Sequence, residues 1–290
     1  VTTTILLAGA SGDLGQRVAR ELLARGAEVR ALTRTDSTST PPPGTTVVRA
    51  DYAHAAALQE ACTGVDVVVS TLAGLRDVVV DAQTQLLDAA VAAGVPRFVP
   101  SDYAADFRRL PAGTNRNLEL RREFAARVDA APVRATSVLN GAFADMLTGQ
   151  APLVLFDRGR VLFWGSADQP LDFTTKDDVA AFTADAALDD DAPRWLQVAG
   201  ETVTARSLAE TMTGLTGRTF RPTFAGPVPL LRLMARVGRT FGDEDALYPA
   251  WQGMQYFDSM FSGDGTLLGD DRDRYGRRPW TGVREVLAAR

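Results

Sequence analysis

Residues 4–26 read TILLAGASGDLGQRVARELLARG: an apolar run breaks into glycines at 9, 12 and 15, then turns helical. No other feature constrains the fold as much. Glycine lets the backbone turn tightly there and come within contact distance of a pyrophosphate. The helix that follows places Leu14, Val18, Leu22 and Leu23 on one face. Its opening turn aims free amides and a positive dipole end at the same point. Strand, G-x-x-G-x-x-G and helix together predict a dinucleotide-binding βαβ unit. Gly9, Ser11, Gly12, Asp13, Leu14 and Gly15 are its phosphate-gripping residues.

The first half repeats the pattern. Strand candidates at 4–9, 28–34, 46–51, 65–74, 95–103 and 133–141 alternate with helical stretches, the longest through DAQTQLLDAAVAAG and near 115–130. Such alternation implies parallel pairing with right-handed crossovers and helices on both faces. The expected fold class is α/β, a doubly wound parallel sheet of Rossmann type with a smaller, mainly C-terminal lobe. The expected division is a coenzyme domain over 1–150, its sheet completed by about 174–200, and a mixed substrate lobe over 151–290. In that lobe LVLFDRGRVLFWG reads as a hairpin. In TTKDDVAAFTADAAL, Thr174 or Thr175 caps a helix.

A net charge of -5 with scattered basic residues argues against a nucleic-acid partner. No apolar run reaches the ~18 residues of a membrane span. A single cysteine, Cys62, suits a reducing compartment, and the expected location is cytoplasmic. His54 is the only histidine, which excludes a multi-histidine metal site or a histidine triad beyond one member. No metal is expected.

The second strand decides which dinucleotide. An NAD site wants a carboxylate about 20 residues after the glycines. Here the strand ends in LTRTDS, with Arg34 near that position and Thr35 beside it. A guanidinium fork suits a 2′-phosphate, so the expected coenzyme is NADP(H). Asp51 and Tyr52 of RADY are placed to meet the adenine. Thr71, Leu72 and Ala73 of STLAG are placed beside the phosphates and ribose.

Read in order, the glycine loop, VRALTR, VDVVVSTLAG, VPRFVPSDY and VLNGAF resemble the NmrA-like and isoflavone-reductase-like families. These are atypical short-chain dehydrogenase/reductases that bind NADP, and the resemblance runs over nearly the whole chain. It implies that Ser101, Asn140 and Phe143 also lie against the coenzyme. The family contains reductases of aromatic metabolites and NADP-binding regulators without catalysis.

Ordinary superfamily members use Tyr-x-x-x-Lys. That pair is absent: Ala56, Phe107, Gln252, Met260 and Pro279 stand four residues after the tyrosines, and Lys176 is the only lysine. The isoflavone-reductase branch places a lysine on the helix after the fifth strand, where counting back from VLNGAF puts Arg121. Arginine can hold an oxyanion but cannot relay a proton. Ser101 and Tyr103 are the remaining donors; strand alternation puts both on one side if the chain stays extended, with Asp102 pointing away. The candidate catalytic residues are therefore Ser101, Tyr103 and Arg121. Tyr103, Phe143, Trp164, Trp251 and Phe257 are the candidate substrate contacts, in an aromatic-rich lobe suited to a small aromatic substrate. The competing reading of Trp251 and Phe257 is core or dimer packing. The expectation is an NADPH-dependent reductase of an aromatic ketone or activated double bond, as monomer or homodimer. Its rival is a non-catalytic NADP(H) sensor acting through a protein partner.

Overall fold

The structure, a computed structural model, describes residues 2–290. It divides into two units, each built from three stretches of chain: Val1–Asp102, Leu120–Val138 and Val179–Leu196 form the first, and Tyr103–Glu119, Leu139–Asp178 and Gln197–Arg290 the second.

The first unit holds β1 (Thr4–Ala8), α1 (Asp13–Ala24), β2 (Glu28–Thr33), β3 (Thr46–Arg49), α2 (Ala55–Ala61), β4 (Val67–Ser70), α3 (Gln83–Ala92) and β5 (Arg97–Val99). It also takes most of α4 (Arg116–Ala130), β6 (Arg134–Ala135), the start of β7 (Ser137–Leu139) and most of α5 (Lys176–Leu188). Six strands pair in the order β3-β2-β1-β4-β5-β6, and the registers between neighbours are parallel throughout. The strand order reverses between β1 and β4, the switch point where open α/β sheets bind ligands.

Side-chain alternation along β1 assigns the two faces. Ile5 and Leu7 pack with Val18 and Leu22 of α1 and with Ala180, Ala184 and Ala187 of α5. Leu6 and Ala8 face Leu58 of α2, Leu86 and Leu87 of α3, and Phe124 and Val128 of α4. Alanine on α5 lets that helix lie close to the sheet, and buried Arg97 fastens its end by donating to the Ala187 and Ala186 carbonyls at 2.7 and 2.8 Å. Those carbonyls have no acceptor role inside the helix, so the buried guanidinium satisfies both. At the other end Thr175 is the cap, its Oγ1 accepting from Asp178 N at 3.2 Å.

The second unit comprises β8 (Ala142–Phe143), β9 (Val154–Leu155), β10 (Arg160–Trp164), β11 (Leu171–Thr174), β12 (Trp195–Gln197), β13 (Glu201–Val203), α6 (Ala205–Thr216), β14 (Arg221–Gly226), α7 (Val228–Phe241), α8 (Ala250–Phe261) and α9 (Val283–Ala288), with only the last residue of β12. Its strands form two small sheets, β14-β10-β9 and β13-β11-β8. The hairpin expected around DRGR is present: β9 and β10 run antiparallel, and Gly159 turns between them at a φ of 59°. One core joins Leu147, Trp164, Phe173, Leu208, Leu231, Phe257 and Phe261.

Three expectations need correction. Residues 133–141 are two strands, not one: β6 ends the large sheet, and Thr136 separates it from β7, which pairs with β12 instead. For the same reason residues 174–200 do not complete the sheet; they contribute α5 to its face. The two units also interleave rather than divide at residue 150, because α4 and α5 each start in one and end in the other.

Among the described residues the first unit buries one acid. Asp102 is fully inaccessible; its Oδ2 accepts from Ser137 Oγ at 2.6 Å, and Ser137 in turn accepts from Arg194 Nη1 at 2.5 Å. Arg194 is held by Asp129 at 2.6 Å. Burial pushes the Asp102 carboxyl above the ordinary range, while the Ser137 hydrogen bond and the charges of Arg121 and Arg194 pull it back only in part. A raised native value means the folded chain holds this proton where the unfolded chain has released it. The contribution is complete below the ordinary aspartate range of about 4 and is lost as pH rises through the native value. Urea titrations at pH 4, 6 and 8 should show Asp102→Asn removing part of the decline in stability toward high pH. Asp102→Ala should cost about 2–3 kcal/mol at pH 4 and less as pH rises, because it leaves the buried Ser137 hydroxyl without its acceptor. Equal pH slopes for wild type and Asp102→Asn refute the assignment.

Candidate active site

The three glycines act differently. Gly9 has a φ of 81°, and a Cβ there would lie 2.8 Å from Thr71 Oγ1. A Cβ on Gly15 would stand 2.0 Å from the Gly9 carbonyl oxygen, so only hydrogen allows α1 to approach the end of β1 this closely. Gly12 turns the loop, donating to Gly9 O at 2.9 Å, and precedes α1 without a side-chain cap. Serine or aspartate at that position would fill the first-turn amides with its own oxygen. Here they are left to an outside anion. Asp13 pairs with Arg17 at 2.9 Å, and Ser11 O accepts from Gln16 Nε2 at 2.8 Å.

Arg34 follows β2 with an exposed side chain, its Nε 3.6 Å from Asp36. Thr35 donates through N and Oγ1 to the two oxygens of Asp51, the N bond being 3.0 Å, and these bonds hold the Asp51 carboxyl below its usual range. Asp51 is thus the anchor of the arginine loop. Tyr52 is half-buried, and burial pushes its phenol upward despite the charge of Arg34. Arg49 was not anticipated. Its Nη1 lies within 3.3–3.5 Å of the carbonyls of Arg34, Thr35 and Ser37, so a second guanidinium ties down the same loop. The sequence alone carries no signal for it: Arg49 ends β3, and only the pairing of β3 with β2 sets it opposite Thr33.

Thr71 donates through N and Oγ1 to Ala8 O, both at 2.9 Å, and so fastens the β4 loop to the end of β1. Leu72 O accepts from Ser101 Oγ at 2.7 Å, while Leu72 N approaches Ser70 Oγ at 3.5 Å. Ala73 continues this loop. Ser101 N donates to Gln83 Oε1 at 3.1 Å, and Gln83 Nε2 reaches Val79 O at 2.7 Å. Gln83 is buried where a π-helical turn, Asp77–Ala82, passes into α3. Nothing in the sequence pattern signals that turn. The Ser101 hydroxyl therefore donates to protein and has only acceptor capacity to offer.

The extended course assumed for Ser101, Asp102 and Tyr103 is not found. Asp102 N donates to Pro100 O at 2.9 Å, so the chain turns there and strand alternation does not apply. Arg121 is half-buried on α4, its charge acting on Asp102.

In the second unit Tyr103 is buried. Asn140 is fully buried; its N donates to Ala104 O at 3.0 Å and its O accepts from Thr174 Oγ1 at 2.8 Å. Among the described residues neither atom of its carboxamide has a hydrogen-bond partner. Phe143 is half-buried on β8 with Lys176 Nζ 6.0 Å from its ring centre. Trp164 stacks on Phe257 at 5.3 Å and meets Phe261 at 5.5 Å inside the core. Trp251 lies apart, 2% exposed, its ring beneath the guanidinium groups of Arg116 and Arg239 at 4.6 and 5.5 Å. The first turn of α4 is held here too: Asn115 caps it by accepting from Leu118 N, and Arg116 N donates to Gln255. Trp164, Trp251 and Phe257 are thus packed inside this unit. Among the described residues no group of three or more His, Cys, Asp or Glu is arranged to hold a metal.

Known proteins resemble this chain in sequence and in fold. Pinoresinol reductase 1 of Arabidopsis thaliana is 30% identical over 202 residues, and phenylcoumaran benzylic ether reductase PT1 of Pinus taeda is 28% identical over 209. The first match covers 63% of this chain and 63% of that relative, so the chain matches less than two thirds of its length. Among solved structures, AtPrR2 with NADP+ and (+)pinoresinol superposes with a TM-score of 0.83 at 21% identity, covering 100% of this chain and 99% of the other. An NADPH-dependent quinone oxidoreductase of Escherichia coli gives 0.74 at 21% identity, over 98% of each. These likenesses establish the fold. With its model matched over residues 1–240, the chain belongs to the NmrA-like family.

Proposed function

We propose that the chain is an NADPH-dependent reductase of a small aromatic, secondary-metabolite-type substrate, acting on a ketone or an activated double bond. The uncapped start of α1 against β1, with Arg34 presented on the next loop, carries this reading. It supplies donors for a diphosphate and a guanidinium for the adenosine 2′-phosphate. The names of the relatives, pinoresinol reductase and phenylcoumaran benzylic ether reductase, support an aromatic substrate.

When bound, the coenzyme supplies the hydride. The protein's part is to hold and orient, and to stabilise the oxygen that gains charge. Gly9, Ser11, Gly12, Asp13, Leu14 and Gly15 take the diphosphate. Arg34 and Thr35 take the 2′-phosphate end, and Tyr52 the adenine, with Asp51 bracing their loop. Thr71, Leu72, Ala73, Ser101, Asn140 and Phe143 complete the coenzyme contacts. Tyr103 is assigned as proton donor. Ser101 is an acceptor for a substrate hydroxyl, and the charge of Arg121 favours the ionised form of Asp102. Phe143 is the aromatic side chain open to a substrate, since Trp164, Trp251 and Phe257 shape the lobe from within. A second reading, an NADP(H)-sensing regulator, is favoured by the missing Tyr-x-x-x-Lys pair and by Arg121 at the branch lysine position.

Following NADPH absorbance with a panel of aryl ketones, quinones and enones separates the two. Turnover on any of them supports the enzyme; tight NADPH binding with no turnover supports the sensor. In an active preparation, Tyr103→Phe should lower kcat about 100-fold with NADPH affinity intact. Arg34→Ala should reduce the preference for NADPH over NADH by roughly 10- to 100-fold, measured by calorimetry. An unchanged ratio removes Arg34 from the site. Gly15→Ala should destabilise the fold by roughly 1–3 kcal/mol and weaken both coenzymes together, since the added methyl displaces α1 from Gly9.

A further inference from the structure

Helix α7 is apolar on two separate sectors. Leu231 and Ala235 are buried, and Gly238 and Gly242 lie against Trp251, so this sector is covered within the second unit. About a third of a turn away, Leu230, Leu233, Met234, Val237 and Phe241 form a stripe at i, i+3, i+4, i+7 and i+11. All five are exposed, from 42% at Leu230 to 87% at Phe241. Arg232, Arg236 and Arg239 fill the remaining sector. Monomers scatter exposed apolar side chains singly; a continuous row along a whole helix marks an interaction surface.

We propose that a second copy of this chain covers the stripe, two α7 helices packing antiparallel across a two-fold axis. Three observations favour that occupant. The stripe runs the full length of the helix and is centred near Met234, so it can meet itself under two-fold rotation, as an isologous interface requires. Charge sets the direction: α7 has no acidic residue, whereas Asp243, Glu244 and Asp245 follow its end within four residues. Antiparallel packing brings that acidic loop of one copy to the positive helix start of the other; parallel packing sets acid beside acid. In size, five such side chains offer on the order of 300 Å² of apolar surface per copy. With a rim of arginine stems and acids, that is enough for the centre of an interface near the ~1,000 Å² lower bound for stable association. The same acidic loop and the net charge of -5 oppose an anionic lipid surface.

Sedimentation velocity on the full chain between 1 and 100 µM tests this. The expected species has twice the 31.0 kDa chain mass. Val237→Glu and Val237→Lys, each at an exposed site, should give folded monomers that melt cooperatively and independently of concentration, the dissociation constant rising at least 100-fold. Mixing the two variants should restore a dimer by pairing opposite charges. A wild-type monomer at 100 µM overturns the proposal. So does a dimer indifferent to both substitutions, or wild-type monomer that sediments with anionic phosphatidylserine vesicles.

Discussion

A single missing methyl group determines how the coenzyme face is built. Because Gly15 has no Cβ, the first turn of α1 can rest on the Gly9 carbonyl, which a methyl would meet at 2.0 Å. That approach brings the helix opening to the end of β1, at the point where strand order reverses. Thr71 then ties the β4 loop to Ala8 through two hydrogen bonds, and Leu72 receives the Ser101 hydroxyl. The loops after β1, β4 and β5 are therefore held by short contacts whose geometry starts from one backbone approach. Rigid support of this kind suits a ligand gripped mainly by main-chain amides, which cannot readjust as side chains do.

Buried polar groups serve a second purpose in the first unit. Arg97 completes the end of α5 by donating to two carbonyls, and Asp102 is enclosed by Ser137 with Arg194 behind it. Each satisfies groups that packing alone would leave stranded. Their directional bonds favour one seating of α5 and of the turn after β5 over slid alternatives that hydrophobic contact would accept.

Much of the first unit was legible because two faces of a parallel sheet impose apolar runs, and strand-helix alternation leaves one topology. The glycine turn before α1 and the cap at Thr175 were legible for the same local reasons. What escaped was set by long-range partners. The break at Thr136 between β6 and β7 has no glycine or proline to mark it; β7 leaves the large sheet because β12, nearly sixty residues on, takes it as partner. Arg49 reads as an ordinary strand-end arginine until the loop carbonyls from Arg34 to Ser37 are seen around it. Strand periodicity carried the reading of Tyr103 one turn too far, past a hydrogen bond from Asp102 to Pro100 that no pattern announces. The aromatic stripe of α8 follows helical spacing whether it lines a cavity or fills a core, and only burial separates the two for Trp251 and Phe257.

The interleaving of the units has an evolutionary corollary. Each is stitched from three separated stretches, and two of the boundaries fall within α4 and α5. A single genetic crossover cannot swap one unit between relatives and leave the other whole; replacing one unit entire would require cuts within α4 and α5.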